Sequence, residues 1–316
     1  MEQEPHITRA LFRAWNVLKT HPLLWLFAFF SLFVGQLGLT DLLTRFLQFG
    51  KPSVVLPSMR DWLDWGRSLF EYVQDASLSL GEWGWLIWLL VLFVCFAVVG
   101  IYVSVSSQGA LIYGVDKALH QYRKKAVDTS AAWHEGRAHF WRLLAIVLLK
   151  KFILIASVSS VVIFSLSLQT SSLSGMDIFL YVLFFLIAAF IAVLVSLLSV
   201  YSAGYVVIEE EHLGHAFVKS WKLFKDHWLL SFEIAAILLV IHAVFAILMV
   251  GLVVLFLIEQ SALVVILLAT VGPLAASIVS TIVGIIFAIL IAALATAVHA
   301  YTTSVWMYLF VKMHRV

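Results

Sequence analysis

Long runs without charge decide what this chain can become. Apolar stretches cover about 22–48, 84–113, 142–166, 178–206, 229–258 and 277–311, each at or above the roughly 20 residues a helix needs to cross a bilayer. The chain is 63% hydrophobic and 12% charged. A water-soluble fold of this size cannot enclose that much apolar side chain, so lipid is its solvent. The sequence therefore predicts an all-α, polytopic integral membrane protein with six transmembrane helices. Between the last two runs, "SALVVILLATVGPL" is apolar but short and ends at Gly272-Pro273. Proline has no amide donor and breaks a helix. A half-helix or re-entrant piece over about 262–276 is predicted there, not a seventh span.

Basic residues orient the bundle. Arg9, Arg13 and Lys19 precede the first span, and Lys117, Arg123, Lys124, Lys125, Arg137 and Arg142 lie between the second and third. Lys219, Lys222 and Lys225 lie between the fourth and fifth, and Lys312 and Arg315 follow the last. The positive-inside rule puts this side, with both termini, in the cytoplasm. The opposite loop, about 49–83, contains "MRDWLDWGRSLFEYV", which reads as an amphipathic helix on the outer interface or as a solvated loop with aromatic anchors. No A-x-A-like cleavage site follows the first apolar run, so that run is read as an uncleaved span. A net charge of +2 is too small to suggest nucleic acid. The single cysteine, Cys95, excludes an intrachain disulfide.

One pattern occurs three times: a small residue, Trp, three residues, Lys or Arg, one residue, His. It reads "AWNVLKTH" (Ala14–His21), "AWHEGRAH" (Ala132–His139) and "SWKLFKDH" (Ser220–His227). Random placement gives roughly 0.03 occurrences of its Trp, basic and His positions, so an internal repeat is the better account. Each copy precedes an odd-numbered span on the basic side. The predicted unit is a short interfacial helix, an elbow and an antiparallel pair of spans, repeated over about 6–113, 128–206 and 214–312 of a single membrane domain covering 1–316. Trp15, Trp133 and Trp221 suit the headgroup level. Lys19, Arg137 and Lys225 lie one turn on, their stems along apolar surface and their charges towards lipid phosphate. His21, His139 and His227 fall at the elbow, beside the unpaired amides of the next helix; Thr20 and Asp226 are placed to cap it. The alternative is that the three histidines converge as a metal or pH-sensing site.

No nucleophile elbow, zinc-protease motif, P-loop or dinucleotide fingerprint occurs, so neither an enzyme nor a cofactor is predicted. "EEEH" (Glu209–His212) reads as a solvated acidic cap before the third elbow helix, or as a metal cluster. Ser157, Ser159, Ser160, Ser165 and Ser167 gather in or near the third span, for helix packing or to line a cavity. Ionisable residues inside spans are the sharper candidates because lipid disfavours them. Lys150 and Lys151 can snorkel, or one can pair with Glu233. His242 and His299 lie at similar depth in the last two spans, where they could touch; the plainer reading is a neutral histidine hydrogen-bonded inside a helix pair.

The segments "GHAFVKSWKLFKDHWLLSF" (Gly214–Phe232), "SSQGALIYGVDKAL" (Ser106–Leu119) and "GRAHFWRLL" (Gly136–Leu143) resemble the membrane domain associated with glycerophosphoryl diester phosphodiesterases and its stand-alone prokaryotic relatives. The resemblance implies six spans in a prokaryotic inner membrane and little about activity. The chain has no room for the phosphodiesterase barrel. Two functions are carried forward. One is a non-enzymatic scaffold or accessory protein that organises lipid, other membrane proteins or copies of itself. The other is a transporter or channel for a lipid or small solute, suggested by the Gly-Pro break and the buried histidines.

Overall fold

The computed structural model describes residues 6–35, 80–120, 128–169 and 175–314. The outer-loop helix, the latter half of the first span and the centre of the 114–142 connector lie outside them. The described residues are helical throughout, with no strand. In a bilayer the backbone has to satisfy its own hydrogen bonds, and a helix does so within one segment. In order the helices are α1 (His6–Thr20), α2 (Leu23–Gly35), α3 (Leu80–His120), α4 (Thr129–Ala138), α5 (Phe140–Gln169), α6 (Gly175–Ile208), α7 (Leu213–Asp226), α8 (Trp228–Thr270) and α9 (Pro273–His314). Five of them, α3, α5, α6, α8 and α9, are long and apolar enough to cross a membrane; α1 and α2, bent by 109° at a short break, make a sixth if counted as one.

The predicted half-helix does not form. α8 runs unbroken through Glu259, Gln260 and Ser261 to Thr270, because those residues are polar but do not break a helix. The break comes at Val271-Gly272, where the amides of both residues donate to the Leu267 carbonyl at 2.9 and 3.1 Å. Gly272 adopts φ +103°, a left-handed turn that costs glycine little. Pro273 then opens α9, where its missing donor is no loss. The expected fifth span and half-helix are one 43-residue helix, about 64 Å long at 1.5 Å per residue.

The chain divides into two compact units. The smaller, within 37–103 and 148–196, is built around α5 and α6. Leu154 packs with Ala192, and Val161 with Tyr181 and Ala188, so the two helices run antiparallel. The larger unit, within 1–36, 104–147 and 197–316, holds α1, α2, α4, α7, α8, α9 and the adjoining ends of α3, α5 and α6. Both α1 and α2 pack along α9. The buried core of this unit contains the ends of long helices, from Ser104 to Ala118 in α3, from Leu197 to Val207 in α6 and from Ala300 to Met313 in α9.

Candidate functional site

Three helix–break–helix elbows define this site: α1–α2, α4–α5 and α7–α8. The small residue before each tryptophan, Ala14, Ala132 or Ser220, is fully buried. The closest approach is at the second elbow. A side chain at Gly136 would place its Cβ 2.2 Å from the Ser106 carbonyl oxygen and 2.7 Å from the Ala110 amide. A Cβ at Gly109 would lie 2.9 Å from the Gly136 Cα. α3 and α4 therefore touch backbone to backbone, through glycine on both sides. At the third elbow a hydroxyl pair replaces the glycine pair: Ser202 Oγ donates to Ser220 Oγ at 3.1 Å, and Ser220 Oγ to the Ala216 carbonyl at 2.6 Å. Nearby, Tyr201 OH bonds Ser231 Oγ at 2.8 Å in a buried contact.

The elbow histidines act through their backbones. Their amides end one helix: His21 donates to Val17 O at 3.1 Å, His139 to Glu135 O at 3.3 Å and His227 to Leu223 O at 3.1 Å. Their carbonyls start the next, accepting from Leu24 at 3.1 Å, Leu143 at 3.0 Å and Ser231 at 3.1 Å. The expected capping side chains are not used. Thr20 Oγ1 donates back to Asn16 O and Val17 O in its own helix. The His227 side chain, at the start of α8, makes no capping hydrogen bond. A single residue that closes one helix and opens another leaves few amides for a side chain to satisfy.

The imidazoles meet different surroundings. His139 is buried, and neither ring nitrogen has a hydrogen-bond partner. Its Nε2 lies 3.7 Å from a Glu135 carboxylate oxygen. Burial lowers its pKa below the ordinary 6.5, Arg142 lowers it further, and Glu135 and Glu210 oppose them. Burial also lowers that of His21. Among the described residues no three His, Cys, Asp or Glu side chains gather as a metal site.

The tryptophans are not equivalent. Trp15 is 42% exposed and meets Tyr301 edge-on at 6.4 Å. Trp221 is 51% exposed and leans on Phe224 of its own helix. Trp133 stacks on Phe27 of α2 at 6.4 Å, nearly parallel. All three motif cations are exposed; the Lys19 ammonium lies 5.5 Å from the Trp15 ring.

Between α6 and α7 the acidic run is tied down. Glu211 pairs with Lys219, which with its hydrogen bond lowers the carboxyl pKa. Arg142 donates to Glu210 O at 3.1 Å. The C-terminal end of α9 joins in, with His314 3.2 Å from Glu209 Oε1 and 3.3 Å from Tyr205 OH.

Inside the apolar runs, His242 and His299 take separate partners instead of bonding each other. His299 Nε2 bonds Ser31 Oγ at 2.9 Å. His242 Nδ1 bonds its own helix at Leu238 O at 2.7 Å, with Thr302 Oγ1 3.5 Å from Nε2. Thr302 lies about one turn from His299 in α9, so that part of α9 does approach His242, but the His299 ring is taken by Ser31 and the His242 ring by Leu238 O. Among the described residues Lys150, Lys151 and Glu233 have no ion pair; the two lysines belong to the smaller unit and Glu233 to the larger.

Sequence reasoning missed Tyr201, Ser202, Ser231 and the Gly109–Gly136 contact. A signal was present in Ser-Val-x-Ser-x-Gly, which occurs at Ser104–Gly109 and again at Ser199–Gly204. In both places the helix becomes buried.

Long apolar helices, short elbow helices and close helix contacts at small residues define a membrane-type helical protein. The chain belongs to the family described as a domain of unknown function, DUF7847, whose model matches residues 6–303. No curated protein and no solved structure matches it, and the family match carries no link to the glycerophosphoryl diester phosphodiesterases.

Proposed function

We propose that this protein is a six-span scaffold or accessory protein of a prokaryotic inner membrane, with both termini cytoplasmic and α1, α4 and α7 lying in the cytoplasmic interface. It acts by organising lipid, partner membrane proteins or further copies of itself, without catalysis. The three elbows are copies of one unit. The observation that carries this reading is their shared construction: a buried small residue, a tryptophan one position on, and a histidine whose backbone ends one helix and begins the next. The likeness to the phosphodiesterase-associated membrane domain is kept for architecture alone. Thiol accessibility in intact cells tests the topology. Cysteines introduced at 52–58 should label from outside, and those at 126–130 only after permeabilisation. The reverse pattern ends the orientation and the interfacial placement of the elbows.

A transporter or channel is the second reading. The Ser31–His299 hydrogen bond favours it, with Ser104 Oγ donating to the neighbouring Phe30 carbonyl at 2.6 Å. Polar groups in apolar spans mark solute paths in transporters. A folded His299→Leu protein with altered proton-coupled flux in proteoliposomes would raise this reading above the first.

A further inference from the structure

The groove between α1 and α9 differs from the surroundings of the other two elbows. It has a volume of about 460 Å³ and is walled by Leu11, Phe12 and Trp15 from α1 and by Val298 and Tyr301 from α9. That volume lies in the lower half of the usual range for small-molecule sites. Its lining is almost wholly apolar, so nothing fixes a polar solute inside it. Phe12 and Trp15 stand out from the helix, 67% and 42% exposed. A partner helix packs on small residues instead, which disfavours a protein occupant.

One edge of the groove carries a cation, Lys19, beside the wall residue Trp15. α1 contains no Asp or Glu, and Lys19 and Arg13, the latter outside the groove's lining, are exposed. Neither makes an ion pair among the described residues. The Arg13 guanidinium lies 5.9 Å from the Tyr308 ring. The Lys19 ammonium stands over Trp15, itself a wall of the groove. Along α9, Val298 lies about one turn from Tyr301 on the side away from the C-terminal end. The layout is a cation beside an aromatic mouth, with an apolar trough behind it.

We infer that this groove binds one acyl chain of an anionic phospholipid, with the headgroup phosphate held at Lys19. The trough supplies contact area for the chain, and the Lys19 ammonium complements the phosphate. The inference rests on the interfacial placement of α1 and adds a site and a ligand class to it. At the second elbow Trp133 is covered by Phe27, and at the third Trp221 leans on its own helix, so the site belongs to the first elbow.

The test uses the full chain purified in a neutral detergent. It is mixed with dioleoyl phosphatidylglycerol or dioleoyl phosphatidylcholine, and retained lipid is counted by native mass spectrometry. The unaltered protein should keep one phosphatidylglycerol in preference to phosphatidylcholine. Lys19→Gln should cut that preference about fivefold, the loss of one surface cation. Val298→Phe fills the trough and should abolish retention of both lipids. Phe12→Ser, at an exposed wall position, should weaken retention and covers the case in which Val298→Phe fails to fold. Glycerol 3-phosphate, the headgroup chemistry without chains, should not displace the lipid. Retention unchanged in Phe12→Ser and Val298→Phe, equal retention of the two lipids, or displacement by glycerol 3-phosphate overturns the inference. Failure here with thiol labelling in the proposed orientation removes the lipid site alone.

Discussion

The two ends of α9 have the same kind of sequence and opposite surroundings. From Ala300 to Met313, Ala300, Ser304, Val305, Met307, Leu309 and Phe310 are almost wholly buried. Near the Gly272 turn, Leu274, Ile278, Ile282, Ile285, Ile286 and Ile289 are more than half exposed. The distal hairpin of α8 and α9 is joined by the stacked pair Phe256 and Phe287, 3.9 Å apart, and by Gln260 Nε2 donating to Ser280 O at 3.1 Å. At the elbow end, the closest helix contacts are made by glycine, alanine and serine, and the hydroxyls of Ser202, Ser220 and Ser231 find partners, whereas those of Ser106, Ser107 and Ser304 are buried without one among the described residues. In lipid an isoleucine gains little by leaving the acyl chains for another helix. Hydropathy alone therefore does not decide burial: large apolar side chains are buried at the elbow end, where small residues let the helices approach, and face outward near the Gly272 turn.

The strongest challenge to that contrast is Gly136→Ala. The new Cβ has no room against Ser106 O, so α3 and α4 must part. A loss of about 1–3 kcal/mol or more is expected, read as thermal unfolding in detergent. The matched change Gly284→Ala, with nothing within 4 Å of the new Cβ, should be neutral or slightly stabilising, since alanine favours the helix by about 1 kcal/mol. Equal losses at the two sites would break the comparison.

Ser231→Ala should come next. It leaves the buried Tyr201 hydroxyl without its partner, an expected cost of about 1–3 kcal/mol. Tyr201→Phe should cost less, because Ser231 Oγ keeps the His227 carbonyl at 3.0 Å. The double variant should lose less than the sum of the two, and simple additivity would remove the pair from the account.

Acid sharpens the comparison through His139. Burial lowers its folded-state pKa from 6.5, so below about pH 6.5 the unfolded chain binds more protons than the folded one. Stability should be highest at neutral pH and fall as pH drops through 6.5 towards the lowered folded value. His139→Leu should flatten this fall, and His21, shifted in the same direction, should account for part of what remains. An unchanged slope in His139→Leu would exclude burial of this imidazole as the cause.

The smallest effect belongs to the distal hairpin. Gln260→Leu removes the interhelical hydrogen bonds of its Nε2 to Ser280 O and Ser280 Oγ in a part-buried setting. The expected loss is about 0.6 kcal/mol and at most about 1.7. A larger loss would mean that this region depends on polar contacts as the elbow end does.

Much of the architecture was legible in the sequence. Runs of apolar residues gave the long helices, and the Trp-to-His pattern located the breaks at His21, His139 and His227. The apolar run ends at about 258, before "EQS" (Glu259–Ser261), whereas α8 continues through those residues to Thr270. A polar residue changes the cost of immersion in lipid but not the helical backbone, and only Gly272-Pro273 does that. The site was legible as a set of positions but not as a set of contacts. Trp15, Trp133 and Trp221 occupy one motif position, yet only Trp133 lies under Phe27. His242 and His299 were matched in depth, yet each turns to another helix position.

What the sequence determined by itself was the medium and the local conformation: lipid as solvent, helix as backbone, and breaks where the motif ends or a Gly-Pro pair falls. These depend on each residue and its near neighbours along the chain. Tertiary structure alone decided that Gly136 meets Gly109, that Ser220 meets Ser202, and that a trough opens between Trp15 and Val298. Each of those depends on the rotation and separation of two helices. In lipid, apolar side chains are nearly indifferent to both, and close backbone approach and a few hydroxyl bonds set them.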